Sequence, residues 1–342
     1  MDKNSLYYIN EPTCISFSGG RTSAFMLHKI LEAHDGDLPE FAKVTFANTG
    51  KEMPQTLDFV RDCGERWGVD IAWLERFARK TKKGEKNKLG NENKFTYDLK
   101  VVDYESASRN GEPFSELIKT IGFAPNPVAR FCTAQLKIRA ISDYLINLCG
   151  FEKPYVGFIG IRGDEVRRAV KMSGTIESGQ ERYLPLYLDG VTARDVGKFW
   201  SDNDFDLNLP NNNGVTDLGN CDLCFLKGHS KKQSIIRERP ELADWWIEHE
   251  SYDGGGTGNL GFRKESPSYK TMKKIARIAL VITTIITCIM AYNRVSSSQQ
   301  ANIQQILEYR ICGTADSAKV ILHAGCVGKT DGSTAFKECK IK

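Results

Sequence analysis

Short apolar runs alternate with helix-period segments over the first seventy-odd residues. Residues 13–17 (Thr-Cys-Ile-Ser-Phe) and 43–47 (Lys-Val-Thr-Phe-Ala) have the length and β-branched content of buried strands, and 70–74 (Asp-Ile-Ala-Trp-Leu) makes a third. Between them, apolar residues at 24, 27, 30 and 31 predict a helix over 23–33, and 54–67 predicts another, with Pro54 suited to its first turn. This βαβαβ order implies parallel strands joined by right-handed crossovers. Further along, the pattern predicts a helix over 136–148, a fourth strand over 154–161, a fifth over 182–188, and helices over 192–200 and 240–250. The expected class is α/β: a doubly wound, mainly parallel sheet of about five strands, followed by a Cys-bearing C-terminal lobe.

Polar segments punctuate this plan. Residues 79–94 carry seven Lys/Arg against two Glu, which suits a solvated loop or a clamp over a polyanion. A glycine-rich stretch over 253–261 reads as a connector, and no 20–50-residue period repeats. From Met272 the text changes: Met-Lys-Lys-Ile-Ala-Arg, then 278–293 without a charge, then a Ser/Gln tract. The chain is expected to divide into a domain over 1–271 and a tail over 272–342. Sixteen helical residues span about 24 Å, short of a ~30 Å hydrocarbon core. Three readings of 278–293 stand side by side: a buried helix of the main domain, a short membrane anchor, or a fused, signal-like reading frame starting at Met272.

Charge narrows the function classes. Lys+Arg number 47 and Asp+Glu 43, a net +4, too mild for a nucleic-acid coat protein yet compatible with a local basic groove. Five histidines argue against a His-rich metal centre, and ten cysteines are not spaced like a small secreted scaffold. Residues 1–13 lack an apolar targeting core, so the body of the chain is expected in the cytoplasm, with thiols reduced and membrane association only through 278–293.

The strongest local signal is Ser16-Phe-Ser-Gly-Gly-Arg-Thr-Ser23, directly after the first strand and opening a helix. Gly19 and Gly20 let the backbone turn tightly. The helix amides, the hydroxyls of Ser18, Thr22 and Ser23 and the fork of Arg21 together suggest a phosphate or sulfate cradle at the carboxyl end of a parallel strand. An ordinary glycine turn with a serine cap is the plainer alternative.

Ser18-Gly-Gly-Arg-Thr-Ser23 resembles the PP-loop (Ser-Gly-Gly-x-Asp-Ser) of the adenine nucleotide α-hydrolase-like superfamily, and within it the phosphoadenosine phosphosulfate (PAPS) reductase family. Four more segments follow in that family's order: Asn48-Thr-Gly-Lys-Glu-Met-Pro-Gln-Thr-Leu57, Arg130-Phe-Cys-Thr-Ala-Gln-Leu-Lys137, Gly160-Ile-Arg-Gly-Asp-Glu-Val-Arg-Arg168 and Cys221-Asp-Leu-Cys224. The resemblance covers about 13–270. It implies a Rossmann-like sheet and an adenine nucleotide substrate (ATP, APS or PAPS). Its site would comprise Ser18, Gly19, Gly20, Arg21, Thr22, Ser23, Asn48, Thr49, Gly50, Arg130, Lys137, Arg162, Glu165 and Arg168. The dispersed cations, Arg167 included, would converge on phosphate or sulfate, to which arginine's planar fork is suited. Asp164 and Glu165 either pair with these arginines or orient the substrate.

Cys132, Cys221 and Cys224 form a second constellation. A Cys-x-x-Cys with a third thiol brought in by folding can hold a [4Fe–4S] cluster, hold Zn²⁺ with His229 as fourth ligand, or act as redox thiols. The family's cluster-bearing reductases use a Cys-Cys pair, which here is Cys132-Thr133; three thiolates resemble the sulfur-transferring members of the superfamily. Cys14, Cys63 and Cys149 read as packing residues. Two further departures bear on mechanism. Thr22 replaces the PP-loop Asp, and the family's terminal Glu-Cys-Gly-x-His survives only as Glu338-Cys339. Cys132 and Cys339 are therefore the candidate catalytic thiols. Three functions follow: a PAPS-reductase-like oxidoreductase served by a thioredoxin-like dithiol, an ATP-dependent sulfur-inserting or adenylating enzyme acting on tRNA or DNA, or a non-catalytic nucleotide-binding protein.

Overall fold

The computed structural model describes residues 5–85, 94–173, 175–250, 262 and 267–294, and the backbone of 307–312 and 319–324. The chain divides into two compact units, Met1–Lys270 and Thr271–Lys342.

The first unit is built on a seven-stranded sheet. Strands β1 (Thr13–Ser16), β2 (Ala42–Ala47), β3 (Ile71–Lys80), β4 (Phe95–Val102), β5 (Tyr155–Ile159), β6 (Ile176–Glu177) and β7 (Gln180–Tyr183) lie in the order β4-β3-β2-β1-β5-β7-β6. The five central strands are mutually parallel. The two edges, β4 and β6, pair antiparallel with β3 and β7. The parallel core matches the expected doubly wound sheet. The edges were not expected, because β4 and β6 are half-polar and carry no continuous apolar run.

Two helices follow the first two strands: α1 (Arg21–Ala33) and α2 (Pro54–Trp67), the latter closed by Gly68 in the left-handed region. On the inner face of α1, Ala24, Met26, Leu27 and Ile30 are fully buried. Helix α3 (Glu112–Ile121) seals β3 with Phe114, Leu117 and Ile118. A π-helical turn (Thr133–Ile138) runs into α4 (Arg139–Asn147), so the expected helix over 136–148 has two parts. The described residues of the unit also form α5 (Val166–Met172), α6 (Pro185–Leu188), α7 (Ala193–Asp202), α8 (His229–Glu238) and, where a helix over 240–250 was expected, a 3₁₀ turn (Pro240–Leu242) followed by α9 (Ala243–Glu250). Thr192 and Asp195 form a capping box at the start of α7, in the place the sequence pattern put a helix. The expected strand over 182–188 ends at Tyr183, because Pro185 lacks an amide for the ladder and opens α6 instead.

The basic stretch 79–94 joins β3 to β4. Its first residues are paired rather than free: Arg79 donates to Glu85 at 2.7 and 2.8 Å and to Asp98 at 3.1 Å. Residues 86–93 lie outside the described part.

The second unit holds most of α10 (Tyr269–Arg294) and a hairpin of β8 (Leu307–Cys312) and β9 (Lys319–Ala324). Cys326 and the candidate nucleophile Cys339 lie outside the described residues.

Candidate functional site

Strand β1 ends where the sheet order turns, with β2 on one side and β5 on the other. In an open parallel sheet this is where a crevice forms beyond the carboxyl ends. A cavity of about 370 Å³ lies there. Its floor is Ser16, Ser18, Gly20, Arg21, Thr22 and Ser23, and its walls are the segment after β5 (Ile159 to Arg162, Glu165, Arg168) and a loop at 207–220.

The Ser-Gly-Gly loop is held by its own serines. Ser23 Oγ accepts from the Ser18 amide at 3.1 Å, lies 3.0 Å from Ser18 Oγ, and donates to Gly20 O at 2.9 Å. Gly19 adopts φ +72°, and a Cβ there would sit 2.6 Å from Thr56 Cγ2 of α2. No side chain caps the first turn of α1, which leaves its amides to a ligand. On the opposite wall a Cβ on Gly160 would come within 3.2 Å of Ser23 Cα, so glycine brings the loop after β5 against the start of α1.

Arg21 corrects the expected phosphate fork. Its side chain is buried and directed at the 206–210 segment. Nε donates to Asp206 Oδ1 at 2.6 Å, Nη2 pairs with Asp206 Oδ2 and donates to Leu209 O at 2.6 Å, and Nη1 reaches Pro210 O at 3.4 Å. The guanidinium is spent on tethering a wall of the pocket. Besides Arg21, the cations that line the cavity are Arg162 and Arg168. Arg162 donates to Thr22 Oγ1 at 3.2 Å and to Asp164 at 2.8 Å, and Glu165 pairs with both Arg162 and Arg168. Asp164 and Glu165 are therefore ion-paired, and the Thr22 hydroxyl is a direct partner of a pocket arginine. Arg130 and Arg167 are exposed and do not line the cavity.

Asn48, Thr49, Gly50 and Lys137 also fall outside the lining. Asn48 is fully buried and donates to Glu75 at 2.6 Å and to Ser108 O at 2.9 Å, while Gly50 N donates back to Asn48 Oδ1 at 3.0 Å. Glu75 also accepts from the Ser108 amide and hydroxyl at 2.6 and 2.8 Å, so this buried carboxylate is satisfied. Thr49 donates to Glu52 at 2.8 Å and lies 3.5 Å from Cys221 Sγ. The second-strand segment is thus a scaffold between the pocket and the cysteines.

That scaffold meets the Cys-x-x-Cys loop at several points. Glu52 and Cys221 form an isolated bridge, Asp222 N donates to Lys51 O at 2.8 Å, and the buried Lys51 Nζ pairs with Asp222 Oδ2 at 3.0 Å. Trp246 Nε1 donates to the other Asp222 oxygen at 2.7 Å. Lys137, on the π-helical turn after Cys132, pairs with Glu52 at 3.5 Å. Burial opposes its charge, yet Glu52 and then Cys221, Cys224 and Cys132 hold the ammonium above the ordinary lysine range. Folding therefore brings the three expected thiols around one lysine. Burial pushes the Cys132 thiol up to about 11, with Cys224 adding and Lys137 opposing, and it pushes Cys221 up further.

A metal or cluster needs deprotonated thiolates placed around a common point. Among the described residues no three His, Cys, Asp or Glu side chains stand in such a group, and His229 is not brought to the cysteines as a fourth donor. This arrangement of thiols does not fit a closed [4Fe–4S] or Zn²⁺ site.

The sequence reading missed Asp206, Ser108 and the wall residues Leu207, Val215, Thr216, Gly219 and Asn220. The 207–220 loop reads as Asn- and Gly-rich connector, with nothing but proximity to Cys221 to mark it.

Comparison with known proteins places these features. The phosphoadenosine phosphosulfate reductase domain matches residues 12–112, from β1 to the start of α3. Nin region protein ORF290 of Escherichia phage lambda is 30% identical over 217 residues, which are 64% of this chain and 67% of that protein. A solved structure, the U34-tRNA thiolase NcsA from Methanococcus maripaludis with its [4Fe–4S] cluster, aligns over 79% of this chain and 73% of its own at 14% identity and a TM-score of 0.36. With the glycine loop after β1 and the Asn-Thr-Gly segment after β2 both inside the matched residues, the chain belongs to the phosphoadenosine phosphosulfate reductase family.

Proposed function

We propose that the chain binds an adenine sulfonucleotide, APS or PAPS, in the 370 Å³ cavity and passes its sulfur to a thiol. One observation carries this reading. Gly219 and Asn220 line the cavity, and the next residue, Cys221, belongs to the thiol group around Lys137. An anion clamp and a set of thiols thus share one loop.

In the proposed reaction, Arg162 and Arg168 with the α1 amides hold the sulfate–phosphate end. A cysteine thiolate from the Cys132, Cys221, Cys224 group attacks the sulfur. A sulfur–sulfur bond forms, the bond from sulfur to the phosphate-borne oxygen breaks, and the adenosine phosphate leaves with that electron pair. A second thiol then attacks the cysteine sulfur, sulfite leaves, and a disulfide remains; an external dithiol such as a thioredoxin-like protein supplies the two electrons.

The presence of three clustered thiols, rather than four, favours a second reading: ATP-dependent sulfur insertion into tRNA or DNA. Iron and zinc analysis of the anaerobically purified chain checks that these cysteines hold neither metal.

The test is product analysis under anaerobic conditions with ATP, APS or PAPS, a reduced dithiol carrier, and mixed tRNA and DNA present or absent. Sulfite with an adenosine phosphate is the expected result. AMP and pyrophosphate from ATP, dependent on nucleic acid, would replace the first reading by the second. Binding without turnover of any of the three would leave a non-catalytic nucleotide-binding protein.

A further inference from the structure

We propose that residues 275–293 of α10 cross a lipid bilayer and anchor the α/β unit to the cytoplasmic face of a membrane. The helix starts nine residues before the uncharged run, which makes it longer than the run alone suggests. Tyr269 is buried and donates to Leu223 O at 2.6 Å, so the start of α10 stays with the α/β unit; at about 1.5 Å per residue, 275–293 spans roughly 28 Å against a hydrocarbon core of about 30 Å, with Arg277 close enough to its end to reach the headgroups.

Its surface chemistry fits lipid rather than water. No residue from 278 to 291 is buried within the protein, and Leu280, Ile282, Ile289 and Met290 are each more than half exposed. A helix lying on a membrane or on a protein keeps a charged face; 278–293 has no charge on any face. The three threonines of the run are discharged internally. Thr283 donates to Ala279 O at 2.9 Å, Thr284 to Leu280 O at 3.0 Å and Thr287 to Thr283 O at 2.9 Å. In hydrocarbon an unpaired hydroxyl costs several kcal/mol, and bonding to the preceding turn removes that cost.

Charge sets the direction. Lys270, Lys273, Lys274 and Arg277 precede the run, and Arg294 alone follows it before Glu308. Lys and Arg near the ends of a span accumulate on the cytoplasmic side, where they meet anionic headgroups. The α/β unit precedes these cations and faces the cytoplasm with them.

The experiment uses the full chain made in bacterial cells. Membranes are floated on a density gradient after an alkaline carbonate wash, which separates inserted chains from aggregates. The wild-type chain is expected to float and to leave the membrane only with detergent. The double variant Ile282→Arg, Ile286→Arg should move most of the chain out of the floating fraction, and Ile282→Leu, Ile286→Leu should not. In intact spheroplasts the α/β unit should resist added protease and become sensitive on lysis. The proposal is overturned by a chain that stays in solution, as a monomer or as a dimer through α10. It is equally overturned by a double-arginine variant that floats like the wild type, by digestion of the α/β unit in intact spheroplasts, or by recovery of a free α/β unit beside an exported tail fragment.

Discussion

Arg21 and Asp206 form a two-pronged ion pair between the glycine loop after β1 and the 206–220 loop, 185 residues apart in sequence. The arginine side is almost fully buried and makes four hydrogen bonds within the protein, to Asp206, Leu209 O and Pro210 O. Removing one partner of such a pair strands the other charge and costs about 3–5 kcal/mol. Arg21→Met is therefore expected to lower the thermal unfolding temperature of the chain. Arg21→Lys should not restore it, since an ammonium cannot reproduce the fork and the two carbonyl contacts. A variant of normal stability that has lost only nucleotide binding would instead place Arg21 on the ligand.

The cavity arginines make the opposite prediction. Arg162 and Arg168 share Glu165, and Arg162 also pairs with Asp164, so the pocket's positive charge is largely balanced before a ligand enters. Arg168→Ala, at an exposed position, should leave stability nearly unchanged and weaken binding of an adenosine phosphosulfate by roughly tenfold to a hundredfold, the worth of one to two charge-assisted hydrogen bonds. Glu165→Gln should tighten binding of the same anion. Equilibrium dialysis reads both, and a Glu165→Gln variant that binds more weakly would show the carboxylate to be a substrate contact.

Gly160 tests how closely the pocket walls must approach. Its Cβ would press on the Ser23 backbone at 3.2 and 3.4 Å, with no flexible side chain to yield. Gly160→Ala is expected to cost about 1–3 kcal/mol by overpacking and to displace the wall from the α1 amides. The check is nucleotide affinity alongside unfolding temperature; an alanine that is neutral in both would mean the wall moves freely.

Much of the sheet was legible because its parallel strands are short apolar runs flanked by helix-period segments, and α2 runs over the residues its pattern marks. The edges were not: in β4, Asp98 and Lys100 alternate with half-buried residues and mimic a polar linker. For the site, the loop at 18–23 and the segment at 160–168 could be read, since glycine and hydroxyl spacing encodes a local turn. Where Arg21 and Lys137 point could not, because their partners Asp206 and Glu52 come from distant segments and lie in no shared motif.

Three buried or half-buried histidines are expected to weaken the fold as the pH falls. Burial is the largest cause lowering His28, His34 and His249 below the ordinary imidazole range. His34 Nε2 accepts from the Ile9 amide at 2.9 Å, a bond that needs the unprotonated nitrogen. For a group depressed on folding, the stabilisation is full above the unfolded value, about 6.5, and is lost as pH falls through the folded value. Unfolding temperature should therefore drop between pH 7 and 5. His34→Gln, which keeps an acceptor for Ile9, should flatten that drop, and an unchanged slope would show that His34 takes no part in it.

Lys51 and Asp222 join the scaffold segment to the thiol loop, and both are buried. Asp222→Asn keeps an oxygen for Trp246 Nε1 yet leaves Lys51 without a counter-charge, at a cost of about 3–5 kcal/mol. Burial raises the Asp222 carboxyl while Lys51 opposes the rise, so the pair is already under desolvation strain and has little to spare. The loss should be felt first in the loop it fastens. Cys221 and Cys224 should label with a thiol reagent several-fold faster in Asp222→Asn than in the wild type, while Cys14 in β1 and Cys63 on the buried face of α2 keep their rates. Mass spectrometry of the labelled peptides separates the two pairs. Equal acceleration at all four would mean global loosening, and no acceleration at Cys221 would mean that the bridge to Glu52 and the contact with Thr49 hold the loop without the ion pair.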